Sequence, residues 1–157
     1  MRACIQRVSE ASVMIDGKVS GSCDKGFLVL LGVGPDDTEE TARRLWDKIF
    51  RLRVFDDAAG KMNLSLDQVE GEVLVVSQFT LFADCRRGNR PSFTAAAPPE
   101  LGRSLYECFC DLAEKDVRHV GRGVFGAEMQ VSLVNDGPIT IWLDTDDLVK
   151  PRRKQGQ

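Results

Sequence analysis

The stretch FLVLLGV, Phe27 to Val33, is the longest apolar run in the chain and the best guide to its fold. Its apolar residues are continuous, whereas a strand with one wet face alternates apolar and polar residues. A run of this length is far shorter than a membrane span, which needs about 20 residues. The stretch therefore predicts a strand that is covered on both faces inside a globular domain.

Further strand patterns lie on both sides of this run. Apolar and polar residues alternate over 11–15, and Asp16-Gly17 after them is a strong signal for a two-residue hairpin turn. A strand through Val19 follows that turn, and Val73 to Val76 forms another short buried strand. The chain closes with alternating apolar residues over 129–143. The sequence thus predicts seven or more strands.

Two segments have the apolar spacing of amphipathic helices. The first begins with a sequence resembling a capping box, Asp37 to Glu40, and the second begins at Pro98-Pro99. Their apolar stripes are Ala42, Leu45, Trp46, Ile49 and Phe50, and Leu101, Leu105, Cys108, Phe109 and Leu112. Two helices are too few to cover both faces of a large sheet. We therefore predict an α/β fold with three layers, β/β/α, in which mixed sheets are stacked and the two main helices lie on one face.

Composition excludes several classes of protein. The chain has 157 residues, the size of one domain, and a net charge of −3, which gives no overall attraction to nucleic acid. Its five cysteines include no C-x-x-C pair, and its single histidine has no partner at ligand spacing. Met1-Arg2 leads directly into a strand, without the apolar segment of a signal peptide. We expect reduced thiols, no metal, no cofactor, no membrane association and a cytoplasmic location.

Two short basic segments stand out against this acidic background. One is the loop RRGNR at 86–90, and the other is KPRRK at 150–154. We divide the chain into a domain at 1–145 and a basic C-terminal tail at 146–157, which we predict to be disordered because it is polar and poor in apolar residues. The loop and the tail together support one alternative function, a nucleic-acid-binding module.

Two other passages are candidates for chemistry. Ser77-Gln78-Phe79-Thr80 ends a fully apolar strand, where an unpaired polar group costs about 1–3 kcal/mol. Gly137-Pro138 lies between two alternating segments and predicts a hairpin turn, although the proline lacks an N–H that a tight hairpin could use. From spacing alone, both passages are also compatible with ordinary turns. A catalytic triad is hard to assemble, because it would have to use His119 and there is no G-x-S-x-G motif.

The two passages together resemble the paired signatures of the D-aminoacyl-tRNA deacylase family. They read SQFTL at 77–81 and NDGPIT at 135–140. Supporting fragments follow the family's order: IQRV at 5–8, FLVLLGV at 27–33, KMNLS at 61–65, GNRPSF at 88–93 and MQVSLVNDGP at 129–138. The resemblance covers residues 1 to about 144. Each fragment alone is a weak signal, but the ordered set is specific.

The resemblance implies a homodimer that hydrolyses the ester bond of D-aminoacyl-tRNAs and rejects L-aminoacyl-tRNAs, a proofreading step in translation. It implies a cis peptide bond between Gly137 and Pro138, whose carbonyls enter the partner's active site and bind the substrate's α-amino group. Arg7 is expected to hold these carbonyls in place. Glycine has no side chain to reject, so we expect mischarged Gly-tRNA(Ala) to be cleaved too.

The resemblance also places SQFTL at the ester, with Ser77 and Gln78 beside it and the amides of Phe79 and Thr80 as oxyanion donors. Two mechanisms remain open. The Thr80 hydroxyl could attack covalently, or the ribose 2′-OH could position or activate water; we favour the second. The tRNA-binding candidates are Arg86, Arg87 and Arg90. A small-ester or peptide hydrolase that uses Thr80 or Ser77 is a further alternative.

Overall fold

The computed structural model describes residues 1–150, and a six-stranded sheet dominates it. The strands are β1 (Arg2–Ile15), β2 (Lys18–Cys23), β3 (Gly26–Gly32), β4 (Phe55–Asp56), β5 (Met62–Leu64), β6 (Glu72–Ser77), β7 (Val120–Arg122) and β8 (Gln130–Asp144). The helices are α1 (Glu39–Phe50), α2 (Pro99–Glu114) and α3 (Thr145–Leu148), with a 3₁₀ turn, η1, at Phe79–Phe82. The sheet order is β2-β1-β3-β6-β7, β8 pairs with β1, and β4 and β5 form a separate small sheet.

Strand β1 organises the sheet because it is long enough to serve three partners. On one side it pairs antiparallel with β8. On the other it pairs with β3 through residues 2–8 and with β2 through residues 11–15. The predicted turn at Asp16-Gly17 joins β1 to β2, and both residues have the positive φ angles that this hairpin needs. Strands β3, β6 and β7 run parallel to one another.

The sheet curls until β2 lies against β7, where glycines allow the two backbones to meet. A Cβ on Gly21 would lie 2.8 Å from the Arg122 nitrogen and would clash with the Arg122 carbonyl oxygen. Gly121 faces the backbone of Ser22 in the same way. No side chain fits between the two strands at this point. The curled sheet therefore encloses a core of its own.

Two hydrophobic cores lie on opposite faces of β3 and β6. The larger core contains Phe27, Val29 and Leu31 of β3 and is covered by α1 and α2, where Trp46 packs edge-on against Phe109 at 5.7 Å. The smaller core, inside the curl, contains Leu28. The continuous apolar run is thus buried on both faces, as predicted. The α/β class and the mixed sheet are confirmed. The structure differs from the predicted stack in that both β layers belong to one curled sheet.

The hairpin expected at Gly137-Pro138 is wrong. Asn135 pairs with Val8 and Thr140 pairs with Gln6, so residues 136–139 stand opposite Arg7 alone. Both flanking segments pair with the same strand, which the two arms of a hairpin would not do. The four residues instead form a bulge within the single long strand β8.

The two main helices begin close to where the sequence predicts. The capping box of α1 uses Thr38 and Thr41, one residue later than expected. Asp37 instead accepts hydrogen bonds from the amide of Gly34 at 2.7 Å and from the α-amino group of Met1 at 2.6 Å. Helix α2 begins at Pro99 and has Pro98 as its N-cap residue, as predicted. All predicted stripe residues of both helices are buried or half-buried.

The first residues of the predicted tail are helical rather than disordered. The predicted tail begins at 146, inside α3, whose N-cap is Asp144. The remaining part of the tail prediction, 151–157, lies outside the described residues. The five cysteines are free thiols. Within residues 1–150, no helix has the length and apolar character needed to span a bilayer.

We predict that Gly21→Ala destabilises the fold by about 1–3 kcal/mol, because the new methyl group must displace the Arg122 backbone. Chemical denaturation followed by tryptophan fluorescence measures the change. Ser20→Ala in the same strand is the control, since Ser20 is exposed and its hydroxyl makes only a long contact of 3.4 Å to Val13. Equal stability of the two variants would contradict the close approach of β2 and β7.

Candidate active site

The turn η1 lies at the end of β6, where the sequence predicts a polar strand end. The Gln78 amide donates to the Leu31 carbonyl at 2.7 Å, which fixes the start of the turn on the end of β3. Glycines make room beneath it: a Cβ on Gly32 would lie 3.1 Å from Leu81 Cβ, and one on Gly34 would lie 3.0 Å from the Phe82 ring. Gly32, the last residue of β3, and Gly34 therefore let η1 pack directly on their backbone.

Two backbone amides at the start of η1 are available to a ligand. Within residues 1–150, the amides of Phe79 and Thr80 donate to no other group, as is usual for the first N–H groups of a helical turn. The Phe79 side chain is exposed. Adjacent free N–H groups are suited to stabilising a negative oxygen. The geometry is thus compatible with the oxyanion role expected from the resemblance.

The Thr80 hydroxyl is held by Gln78 rather than by a base. Gln78 Nε2 donates a hydrogen bond to Thr80 Oγ1. A side-chain amide takes no proton at neutral pH in either of its orientations, so it cannot activate a hydroxyl as a nucleophile. His119 is not near: its ring contacts the Ser22 carbonyl at 2.8 Å, next to β7. The predicted absence of a triad through His119 agrees with this placement.

An apolar pocket of about 410 Å³ opens beside η1. Ser77, Gln78 and Phe79 form one side of it. Aromatic rings from three other segments complete its walls: Phe93, Tyr106 and Phe125. The Tyr106 hydroxyl donates away from the pocket, to the carbonyls of Val75 and Gly123. The pocket therefore offers flat apolar faces, which suit the stacking of a planar ring.

The basic loop is attached to this pocket. Asp84 and Ser92 form an isolated antiparallel bridge that closes the loop between them. Beyond the bridge, Phe93 packs edge-on against Phe79 at 5.1 Å. The bridge and this ring contact attach the arginine-containing loop to η1.

The three arginines of this loop differ in their surroundings. The guanidinium of Arg86 forms a two-point pair with the Asp84 carboxylate, at 2.8 and 2.6 Å. The hydrogen bonds from Arg86 lower the pKa of Asp84 to about 2. Within the part of the chain that the structure describes, Arg87 and Arg90 form no ion pair. The loop therefore offers two uncompensated positive charges.

The Gly137–Pro138 peptide bond is cis, as the resemblance implies. It lies in the bulge of β8, where Asp136, Gly137 and Pro138 are exposed. Gly137 has a φ of +135°, and a Cβ there would lie 2.9 Å from Ile139 Cγ1. Only glycine adopts this conformation readily.

Arg7 supports the bulge from below. Its side chain is buried, and its guanidinium donates to the Asp136 carbonyl at 2.9 Å and to the Val54 carbonyl at 2.7 Å. The expectation was that Arg7 holds the Gly137 and Pro138 carbonyls. The bonds in fact reach the preceding carbonyl, so Arg7 fixes the base of the bulge and leaves its tip free.

Two polar residues that the sequence did not single out close the bulge. Asn135 Oδ1 accepts from the Ile139 amide at 2.9 Å, and its Nδ2 donates to the Thr140 hydroxyl at 3.0 Å. Gln6 Nε2 also approaches that hydroxyl, at 3.4 Å. The sequence signal for these two residues is their position: Asn135 and Thr140 stand at the two ends of NDGPIT, on either side of a segment that does not pair with β1.

The two signatures do not meet within one chain. Arg2 of β1 lies at the end of the sheet that carries η1, whereas Arg7 supports the bulge. Five residues along a strand span roughly 17 Å. The tip of the bulge does not line the pocket beside η1 either. Any joint action of Gly137-Pro138 and SQFTL therefore requires a second copy of the chain.

Within residues 1–150, no cluster of histidine, cysteine, aspartate and glutamate side chains is arranged to hold a metal ion. Cys23 and Cys110 do not form part of the site. Burial raises the pKa of Cys23 to about 12, and that of Cys110 to about 12 as well. Both thiols lie in the hydrophobic cores.

Comparison with known proteins gives consistent results. The sequence model of the family described as D-Tyr-tRNA(Tyr) deacylase matches residues 4–144. A protein from Thermotoga petrophila named D-aminoacyl-tRNA deacylase is 57% identical over 94% of this chain and 99% of its own length. One of the same name from Anaeromyxobacter dehalogenans is 57% identical over 92% of this chain and 97% of its own length.

A solved structure shares the fold as well. The protein titled c-Myc DNA unwinding element binding protein superposes with a TM-score of 0.87 and is 40% identical. The match covers 92% of this chain and 98% of the other. The fold is thus shared with a solved relative over nearly the whole length of that chain.

We predict that Arg86→Ala returns the pKa of Asp84 from about 2 towards its usual value of 3.8, because the carboxylate loses its two-point partner. Since the folded-state pKa is lowered, the pair persists above the usual pKa and is lost as the pH falls through about 2. A carboxyl NMR titration measures the shift, with Arg87→Ala as the control. An unchanged Asp84 titration in Arg86→Ala would show that the pair is absent in solution.

Proposed function

The chain belongs to the D-Tyr-tRNA(Tyr) deacylase family, a family of hydrolases, and we propose that it hydrolyses the ester bond of D-aminoacyl-tRNAs. Water adds to the ester carbonyl, the bond to the ribose 3′ oxygen breaks, and the products are a free D-amino acid and tRNA. The observation that supports this reaction best is the pair of free amides at Phe79 and Thr80 beside the apolar pocket.

The amides of η1 would stabilise the oxyanion that forms when water attacks the ester. Removing one such donor typically costs 10²–10³-fold in rate, so two fixed donors supply a substantial part of the catalysis. The pocket beside them has the shape and aromatic lining to receive the terminal adenine of the tRNA. The ester would then lie at the mouth of the pocket, within reach of η1.

The nucleophile is water assisted by the ribose 2′-OH in this proposal. The Thr80 hydroxyl is bound to Gln78, which supplies no base, so covalent attack by Thr80 lacks a proton acceptor. The 2′-OH lies next to the ester in every aminoacyl-tRNA and can position the water. The substrate would thus bring a catalytic group that the chain lacks.

Chiral selection would come from the bulge of a second copy in a homodimer. The exposed Gly137 and Pro138 carbonyls are oriented by Arg7 and Asn135 at the base of the bulge. These carbonyls would accept hydrogen bonds from the substrate's α-amino group and occupy the space that an L side chain needs. A side-chain pocket discriminates by only about 1–3 kcal/mol per methylene, whereas a fixed wall rejects one handedness whatever the side chain is.

Arg87 and Arg90 are the strongest candidates for contacts with the tRNA backbone, because Arg86 is already paired with Asp84. The loop that carries them is tied to Phe79 through Phe93. Phosphate contacts of this kind give affinity without reading sequence and weaken as salt rises. They also offset the net negative charge of the chain at the one place where an RNA must approach.

A function limited to nucleic-acid binding is a second candidate, since the solved relative is titled as a DNA unwinding element binding protein. Such a function would use the basic loop and the tail and would make no use of the bulge. It gives no reason for a buried arginine and an asparagine to fix a solvent-exposed Gly-Pro segment. An assay of ester hydrolysis distinguishes the two functions, because a protein that only binds nucleic acid leaves the esters intact.

We predict that one tRNA charged in turn with D-tyrosine, L-tyrosine and glycine loses the D-tyrosine and the glycine rapidly and keeps the L-tyrosine. Gly137→Ala should erode this selection about 10-fold or more, because the added methyl group meets Ile139 and Arg7 and displaces the tip of the bulge. Initial rates of amino-acid release measure both effects.

Gly17→Ala is the matched control for this experiment. Gly17 also has a positive φ, but a Cβ there meets nothing within 4 Å and lies at a distant hairpin. If the protein releases D-tyrosine but leaves glycyl-tRNA intact, the proposed wall is refuted. Equal release of both tyrosine enantiomers by the wild type would refute it as well.

We predict that Thr80→Ala keeps its rate within about 10-fold, whereas a 2′-deoxy terminal adenosine lowers the rate by 10²-fold or more, the scale expected for loss of an oriented catalytic group. Single-turnover hydrolysis of D-tyrosyl-tRNA measures both changes. A 2′-deoxy substitution at the preceding nucleotide is the control. The reverse result, with Thr80→Ala inactive and the deoxy substrate cleaved, would establish Thr80 as the nucleophile.

A further inference from the structure

Arg2 is outside both signatures, yet its side chain contacts the turn η1. In the sheet, Arg2 lies between Gly32 of β3 and Asp144 of β8. Its Nη1 donates to the Leu81 carbonyl at 3.0 Å, and its Nε donates to Asp144 Oδ2 at 2.9 Å. Its guanidinium carbon lies 4.3 Å from the centroid of the Phe82 ring. One side chain thus touches two of the four residues of η1.

The surroundings of Arg2 favour a defined geometry. The Arg2 side chain is one-third exposed and that of Asp144 is 14% exposed, so the pair is partly shielded from water. Asp144 is itself held, because its other oxygen accepts from the Asp146 amide at 3.0 Å as the N-cap of α3. A planar guanidinium with two donors engaged and one face stacked has little freedom, unlike a lysine ammonium.

Movement of the Leu81 peptide would be transmitted to the free amides. The Leu81 amide donates to the Gln78 carbonyl at 3.2 Å, and the Ala83 amide donates to the Thr80 carbonyl at 3.0 Å. Residues 78–83 therefore form one hydrogen-bonded unit, fixed at its start by Leu31 and at its end by Arg2. Without Arg2, the Leu81 carbonyl loses its hydrogen-bond donor, and the end of the unit keeps only its packing on Gly32 and Gly34 and the bridge that follows it at Asp84.

We propose that Arg2, held by Asp144, is a positioning residue that orients η1 so that the Phe79 and Thr80 amides point at the reacting oxygen. This inference rests on the proposed function of those amides. Arg2 touches no reacting atom in this proposal; it acts through the Leu81 carbonyl. A displacement of about 1 Å at a reacting centre can cost 10²-fold in rate, so a single anchoring hydrogen bond is enough to matter.

The test compares Arg2→Met with Arg2→Lys and the wild type. Methionine keeps a long apolar side chain against Phe82 and removes both donors, whereas lysine keeps the charge and can donate to one partner at a time. Arg44→Met is the control, because Arg44 forms a surface ion pair with Glu40 on α1, at 3.7 Å. For each protein we would measure kcat and KM on D-tyrosyl-tRNA, the thermal midpoint, and hydrogen exchange of the amides at 79–83.

We expect kcat of Arg2→Met to fall about 10- to 100-fold with KM within about twofold of the wild type, since an interaction that matters only in the transition state is removed. The hydrogen-bonded amides of Leu81 and Ala83 should exchange about 10-fold faster. Arg2→Lys should recover part of both losses, and Arg44→Met should change neither. Arg2→Lys also keeps the test usable if Arg2→Met does not fold.

Several outcomes would overturn the proposal. An unchanged kcat in Arg2→Met, or a lower thermal midpoint with unchanged kinetics, would show a merely structural role. A rise in KM alone would show that Arg2 contacts the tRNA instead. Unchanged exchange of the Leu81 and Ala83 amides would refute the anchoring of η1, even if the wild type proved inactive on the ester. An inactive wild type would refute the proposed function and would leave the exchange result to decide the role of Arg2.

Discussion

The antiparallel pairing of β1 with β8 determines where the Gly-Pro bulge forms and what Arg7 contacts. Because β8 has more residues than β1 can pair, residues 136–139 must leave the ladder opposite Arg7. Arg7 then faces a carbonyl rather than a cross-strand partner, and its buried guanidinium is satisfied by Asp136 and Val54. A buried arginine without such acceptors would be strongly destabilising. The bulge and the arginine therefore stabilise each other, and the exposed Gly-Pro tip extends from a base that Arg7 and Asn135 hold by hydrogen bonds.

At η1, too, glycines and backbone groups determine the arrangement, rather than reactive side chains. Gly32 and Gly34 let the turn lie directly on the end of β3, and the free amides of Phe79 and Thr80 follow from the start of a helical turn. Tyr106, which lines the pocket, is kept out of the chemistry because burial raises its pKa and its hydroxyl donates to two carbonyls. Fixed dipoles suit an ester that is already activated and needs charge stabilisation more than a strong base.

The parts of this arrangement that the sequence predicts are those with a local signal. Continuous burial of 27–33, the turn at Asp16-Gly17 and the apolar stripes of α1 and α2 each depend on neighbours in the chain, and each is confirmed. The curl of the sheet was not predictable, because it depends on Gly21 and Gly121 meeting strands more than 90 residues apart. The hairpin expected at Gly137-Pro138 was wrong for a related reason: only the partner strand decides whether such a segment reverses or bulges. Arg2 likewise gains its role from contacts that are distant in sequence, with Leu81 and Asp144.

The distance between the two signatures gives the fold its strongest link to function. Arg2 and Arg7 lie on the same strand, and each supports one signature, η1 or the bulge. Both residues pair with β3, opposite Gly32 and Phe27, so this pairing fixes the roughly 17 Å between them. Within a single chain, η1 and the Gly-Pro bulge therefore stay apart. Only a second copy, placed so that the exposed tip of one bulge reaches the pocket of the other, would bring backbone carbonyls to the amino group while backbone amides face the oxyanion.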